Sequence, residues 1–213
     1  MKKPHEIEAQ FDELFRLIGF RRVSEIVGDS PSFANADYIH QIDRLIVELK
    51  VLDKDYFQHG GIIERFCALV PAPVSVQPNG TGVYQIAMPP PNREGRHDTF
   101  EEPLRRVLKK ANRQLKDTNE RLLSSEGRGF VVFVMNGLTS IDPPTVARMV
   151  SELLAGEFRS ISGYILCAMS PEVWCLSAMA PDLDEAEYNR WYSIAENVGD
   201  HLDRASSKPE QAP

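Results

Sequence analysis

Positive charge, long apolar runs and cysteine are all in short supply in this sequence, and each shortage narrows what the chain can be. Lys and Arg number 24 against 31 Asp and Glu, a formal net charge of −7. Proteins that hold nucleic acid by bulk electrostatics carry the opposite sign. Any phosphate contact here needs basic residues gathered on one face. No apolar run reaches the roughly 18 residues of a membrane-spanning helix, so no membrane partner is expected. The start, Met1-Lys2-Lys3-Pro4-His5-Glu6, is basic and then acidic with no apolar stretch behind it, which speaks against a secretory leader. Cys67, Cys167 and Cys175 lack metal-type spacing. The last two lie in apolar runs and read as buried free thiols, which fits a reducing cytoplasm. A phosphate-binding loop, a dinucleotide fingerprint and a nucleophile elbow are also missing. His5, His40, His59, His97 and His201 show no ligand spacing.

Hydrophobic content of 42% and charged content of 26% are those of an ordinary globular protein. The length of 213 residues suits a single domain, expected over 1–205, with a disordered tail at 206–213. Ile7, Phe11, Leu14, Phe15 and Ile18 recur at helical spacing and predict a helix over 6–18, stopped by Gly19. Residues 20–32 are polar and rich in turn formers. A long helix is expected over 100–124, with Leu104, Leu108, Ala111, Leu115, Thr118 and Leu122 as its inner stripe. The run Phe130-Val131-Val132-Phe133-Val134-Met135 reads as a central strand buried on both faces. A helix over 143–154, strands over 163–169 and 173–178, and a helix over 184–203 complete the chain. Residues 53–96 form an insertion too long for a simple connection. It includes a short helix at 62–69, a strand at 83–87 and a proline-rich loop. This insertion is a candidate surface for substrate or for a protein partner.

The chemistry centres on residues 35–51. Side chains alternate along a strand, so Leu45, Val47, Leu49 and Val51 point one way and Ile46, Glu48 and Lys50 the other. The first face is wholly apolar. The second carries a charged pair inside an apolar strand, where a lone charge is costly to bury. Asp37 precedes it across a tight connection at 40–43. A divalent cation shared by Asp37 and Glu48 would balance the charges. The bland alternative is a solvated Glu48–Lys50 pair on an open sheet face, with Asp37 as a turn residue.

This arrangement resembles the PD-(D/E)XK nuclease superfamily, the restriction-endonuclease-like fold. Its members carry an Asp on one strand and a Glu-x-Lys on the next, after one helix and before another. Asp37, Glu48 and Lys50 match these positions, and Ala36 stands where a proline often precedes the Asp. The resemblance spans 6–169, interrupted by the insertion. It implies an α/β fold, a mixed central β-sheet flanked by helices with the insertion after the Glu-x-Lys strand. It also implies Mg²⁺ or Mn²⁺ at Asp37 and Glu48, with hydrolysis of phosphodiester bonds in DNA, in defence or repair. Lys50 would hold the attacking water or stabilise developing charge. An additional acid often comes from the first helix, for which Glu13 is the candidate and Glu6 the alternative, each against an ordinary solvated glutamate. From the long helix, Gln114 would orient a water or phosphate, against a boundary glutamine bonded to backbone. Arg105, Arg106, Lys109, Lys110, Arg113 and Lys116 on that helix are phosphate contacts or simply a solvated face. A non-catalytic binding module on the same scaffold, for a protein or a nucleic acid, is the competing reading.

Overall fold

Helix α1 (Pro4–Leu17) forms where the apolar spacing places it, and begins two residues earlier because Pro4 sets a helical φ in the first turn. The main-chain N–H of Lys3 donates to the Glu6 carboxylate at 2.9 Å and caps this end. Gly19 ends it with φ +89°, and a Cβ at this position would lie 2.8 Å from Nε2 of His40. Glycine therefore meets both a backbone and a packing demand. The computed structural model describes residues 3–28, 31–52, 77–78, 84–85, 97–136, 143–168, 174–179 and 184–207.

Six strands form one sheet in the order β1-β2-β3-β6-β7-β8. These are β1 (Arg21–Arg22), β2 (Tyr38–His40), β3 (Leu45–Leu52), β6 (Arg128–Met135), β7 (Gly163–Ala168) and β8 (Trp174–Met179). Strands β1, β2 and β3 are antiparallel neighbours, with Tyr38 opposite Val47 and Ile39 opposite Ile46. Strand β3 runs parallel to β6, and β6 to β7, before β8 turns back antiparallel. The two parallel steps are bridged by helices α3 (His97–Leu122) and α4 (Pro143–Leu154), as parallel pairing demands. Within the insertion, β4 (Gln77–Pro78) and β5 (Tyr84–Gln85) pair as a separate two-stranded sheet.

The sheet separates two apolar layers. On one side Ile46, Leu52, Val131, Phe133, Tyr164 and Leu166 pack with Leu104, Leu108, Ala111 and Leu115 of α3 and with Val146, Val150 and Leu153 of α4. On the other side Leu45, Val47, Leu49, Phe130, Val132 and Ile165 meet α1 and α5 (Glu185–Ser207). Burying each such large side chain contributes roughly 1.5–3 kcal/mol. Phe130 stacks on Trp191 at 3.9 Å between ring centroids. At Gly129 a Cβ would lie 2.3 Å from the Ser160 carbonyl oxygen, so only glycine lets the two backbones approach.

The α/β class, the mixed sheet and its flanking helices match the expectation. Several boundaries do not. Residues 20–32 contain β1 and the four-residue helix α2 (Ser24–Val27). Strand β2 starts after Asp37, and α5 continues to Ser207, two residues into the expected tail. The short helix expected at 62–69 lies outside the described residues. Of the strand at 83–87, the described residues are 84–85, and they form β5.

Candidate metal centre at the β2–β3 hairpin

The β2–β3 hairpin brings the two acids together. Continuing its register one step beyond Tyr38 and Val47 sets Asp37 opposite Glu48. Directly opposed residues share a face, and that face is the one covered by α3. Asp37 is fixed in place by the strand it faces, since the Leu49 N–H donates to its Oδ2 at 2.8 Å. Glu48 is 1% exposed and the Lys50 side chain 15%, so the solvated pair on an open face is overturned.

Lys50 Nζ donates to Oε1 of Glu48 and to Oε1 of Gln114, the latter at 3.1 Å. The amide of Gln114 in turn donates to the Asn35 carbonyl at 2.8 Å. One helical turn on, the buried hydroxyl of Thr118 accepts the N–H of Ala36 at 2.8 Å. Helix α3 thus grips the two residues before Asp37 while also holding the lysine. Gln114 is thus a boundary glutamine bonded to backbone, and it also meets Lys50.

The electrostatics are unfavourable to charge. Burial first, and then the nearby charge of Asp37, push the Glu48 carboxyl up to about 8, against the pull of Lys50 and Lys110. Burial also raises Asp37, opposed by the Leu49 N–H, Lys50 and Arg22. Oε2 of Glu48 is buried and has no hydrogen-bond partner. Such an orphaned carboxylate oxygen beside a second carboxylate costs free energy unless a proton or cation meets it.

Asp37, Glu48, Lys50 and Gln114 are thus gathered in one place. Glu13 is exposed, on a helix whose apolar side packs against the opposite face of the sheet from Glu48. The α1 acid whose charge acts on Asp37 is its neighbour Asp12. Arg22 holds Asp12 through two bonds of 2.6 and 2.8 Å, and the Tyr38 hydroxyl donates to it at 2.8 Å. Burial opposes ionisation of Asp12, but these partners outweigh it and lower its pKa. The sequence held a usable signal. At about 100° per residue, Asp12 lies about 60° from Phe15 around the helix, whereas Glu13 is about 100° from the nearest of Ile7, Phe11, Leu14 and Phe15.

In the sequence Thr118 reads as packing, a threonine in an apolar stripe, whereas its hydroxyl holds the backbone just before Asp37. Of the basic residues on α3, Lys110 acts on Glu48. Arg105, Arg106 and Lys116 are paired with Glu157, Glu102 and Glu120. Lys109 and Arg113 are exposed. Among the described residues no group of three or more His, Cys, Asp or Glu is placed to hold a metal, and no helix is long and apolar enough to cross a membrane. Neither family models, curated proteins nor solved structures give a match to this chain.

Proposed function

We propose that this chain hydrolyses phosphodiester bonds of DNA with a divalent cation held by Asp37 and Glu48, on a restriction-endonuclease-like scaffold of the PD-(D/E)XK kind. The hairpin between α1 and α3, with Asp37 facing Glu48 and Lys50, supports the scaffold. The observation that carries the reading is the buried, unpartnered Oε2 of Glu48 beside Asp37. Two carboxylates supply hard oxygen donors of the kind that Mg²⁺ or Mn²⁺ accepts, so the residue types present fit such an ion. When bound, it would stabilise charge on the scissile phosphate and acidify a coordinated water.

The chain's own residues supply the rest. Lys50 spends two of its three N–H donors on Glu48 and Gln114, which aims the third. That donor can hold the attacking water or meet the charge growing on the phosphate. Gln114 ties the lysine to the Asn35 carbonyl, so both catalytic strands share one anchor on α3. Lys110 is exposed, its charge reaches Glu48, and it would meet a flanking phosphate.

The test is degradation of double- and single-stranded DNA and of RNA with Mg²⁺ or Mn²⁺, wild type beside Glu48→Ala. Metal-dependent cutting that disappears in the variant is the expected result. If wild type cuts none of these, catalysis is lost as a reading. The net charge of −7 then favours a module that docks a protein partner.

A further inference from the structure

We infer that Cys167 and Cys175 form a redox-reactive pair, a cross-strand site that a hydroperoxide converts reversibly to a disulfide. The two are directly opposed in the antiparallel β7–β8 ladder, and their sulfurs lie 3.6 Å apart. Opposed residues in such a ladder have Cα atoms about 4.5 or 5.5 Å apart, depending on the hydrogen-bonding position. Both separations fall within the ~4.4–6.8 Å that a disulfide spans. Bond formation therefore asks for a small movement of two sulfurs and leaves the strand register as it is.

The two thiols are unequal, which orders the chemistry. Cys167 is buried in the layer shared with α1 and α5, while Cys175 is half-buried against α5. A hydrogen bond from Cys167 lowers the Cys175 pKa, against burial and the charge of Asp203. The same contact, with burial, raises Cys167. Cys175 is the more accessible sulfur and the one with more thiolate character, so it reacts first.

Its thiolate attacks the hydroxyl oxygen of the hydroperoxide; the S–O bond forms, the O–O bond breaks, and the other oxygen takes up the proton that Cys175 had released and departs as water or alcohol. Cys167 then gives up its proton and attacks the Cys175 sulfur. The S–S bond forms, the S–O bond breaks, and hydroxide leaves with the released proton as water. Two thiols lose two electrons, and the peroxide gains them. The pair lies on β7 and β8, with β6 between it and the Asp37–Glu48 hairpin, so the inference is independent of the proposed hydrolysis.

The experiment exposes the full chain to graded hydrogen peroxide, then alkylates under denaturing conditions and maps the three cysteines by peptide mass spectrometry. Expected is a linked Cys167–Cys175 peptide pair lighter by two hydrogens, with Cys67 alkylated, and full return of both thiols after dithiothreitol. Cys67→Ser should give the same linked pair. Cys167→Ser should stop at a sulfenic acid on Cys175 that dimedone captures. Wild type in which Cys175 oxidises while Cys167 remains fully alkylatable, or in which the linkage joins Cys67, would overturn the inference.

Discussion

The N–H of Ala36 donates to the buried hydroxyl of Thr118 across 82 residues of sequence, at 2.8 Å. This bond pins the residue before Asp37 to helix α3. Thr118→Val keeps the shape and leaves a buried N–H unpaired, which costs about 1–3 kcal/mol. Thr118→Ser keeps the acceptor, so its loss should be clearly smaller. Urea midpoints of the two variants decide between them. Equal losses would mean that the hydroxyl's bond to Ala36 counts for no more here than the methyl group's packing.

Glu48 ties stability to pH. In the folded state it holds its proton up to about 8, whereas an unfolded glutamate releases it near 4.5. Between those values the folded state binds more protons, so rising pH favours unfolding. The contribution of this group is whole below pH 4.5 and is lost as pH climbs through 8, by at most about 1.4 kcal/mol per pH unit. In the absence of divalent ions, Glu48→Gln should flatten that slope and be the more stable protein at alkaline pH. Asp37, also raised by burial, leaves a residual slope of the same sign at the acidic end. An unchanged slope in the variant would assign the titration to another group.

Cation binding must then expel the Glu48 proton. Mn²⁺ affinity should rise with pH below about 8, by up to about tenfold per unit. Near neutral pH, binding should release protons. Titration calorimetry in two buffers of different ionisation enthalpy reads this directly. At an Mn²⁺ concentration of about 100 times Kd, the folded protein should gain about 2.7 kcal/mol. Asp37→Asn should remove both signals. Binding that survives Asp37→Asn would place the ion elsewhere.

Much of this site could be read from residues 45–51, because strand alternation leaves no choice about faces. An apolar set at Leu45, Val47 and Leu49 forces Glu48 and Lys50 together on the other side. The helical period of α3 likewise placed Gln114 at the edge of its buried stripe. The remainder depends on contacts distant in sequence. Strand β1 has two residues and α2 four, too short for any period to show. They are held by the Val23 N–H on the Asp37 carbonyl at 2.9 Å and by Arg22 on Asp12. The bonds that hold Asp12 come from Arg22 and Tyr38, which only the folded chain brings near.

Lys50 separates hydrolysis from binding. A water-activating or charge-stabilising donor matters in the transition state far more than in the bound complex. Lys50→Met retains the apolar stem and removes the ammonium. Glu48 then loses a neighbour that favours its ionisation, and holds its proton to higher pH. Because that carboxyl can stay neutral, the stability loss near pH 7 should be well below the ~3–5 kcal/mol of a stranded buried charge. Cleavage should fall by about 10²–10³, the scale of losing one aimed donor. Mn²⁺ binding, read by calorimetry at a pH above the raised Glu48 value, should persist. Steady-state cutting of a labelled DNA duplex, with the variant's urea midpoint and Mn²⁺ affinity beside it, makes the comparison. A variant that binds the ion and cuts at the wild-type rate would remove Lys50 from the chemistry. Loss of the ion together with cutting would make the lysine a structural support for the two acids.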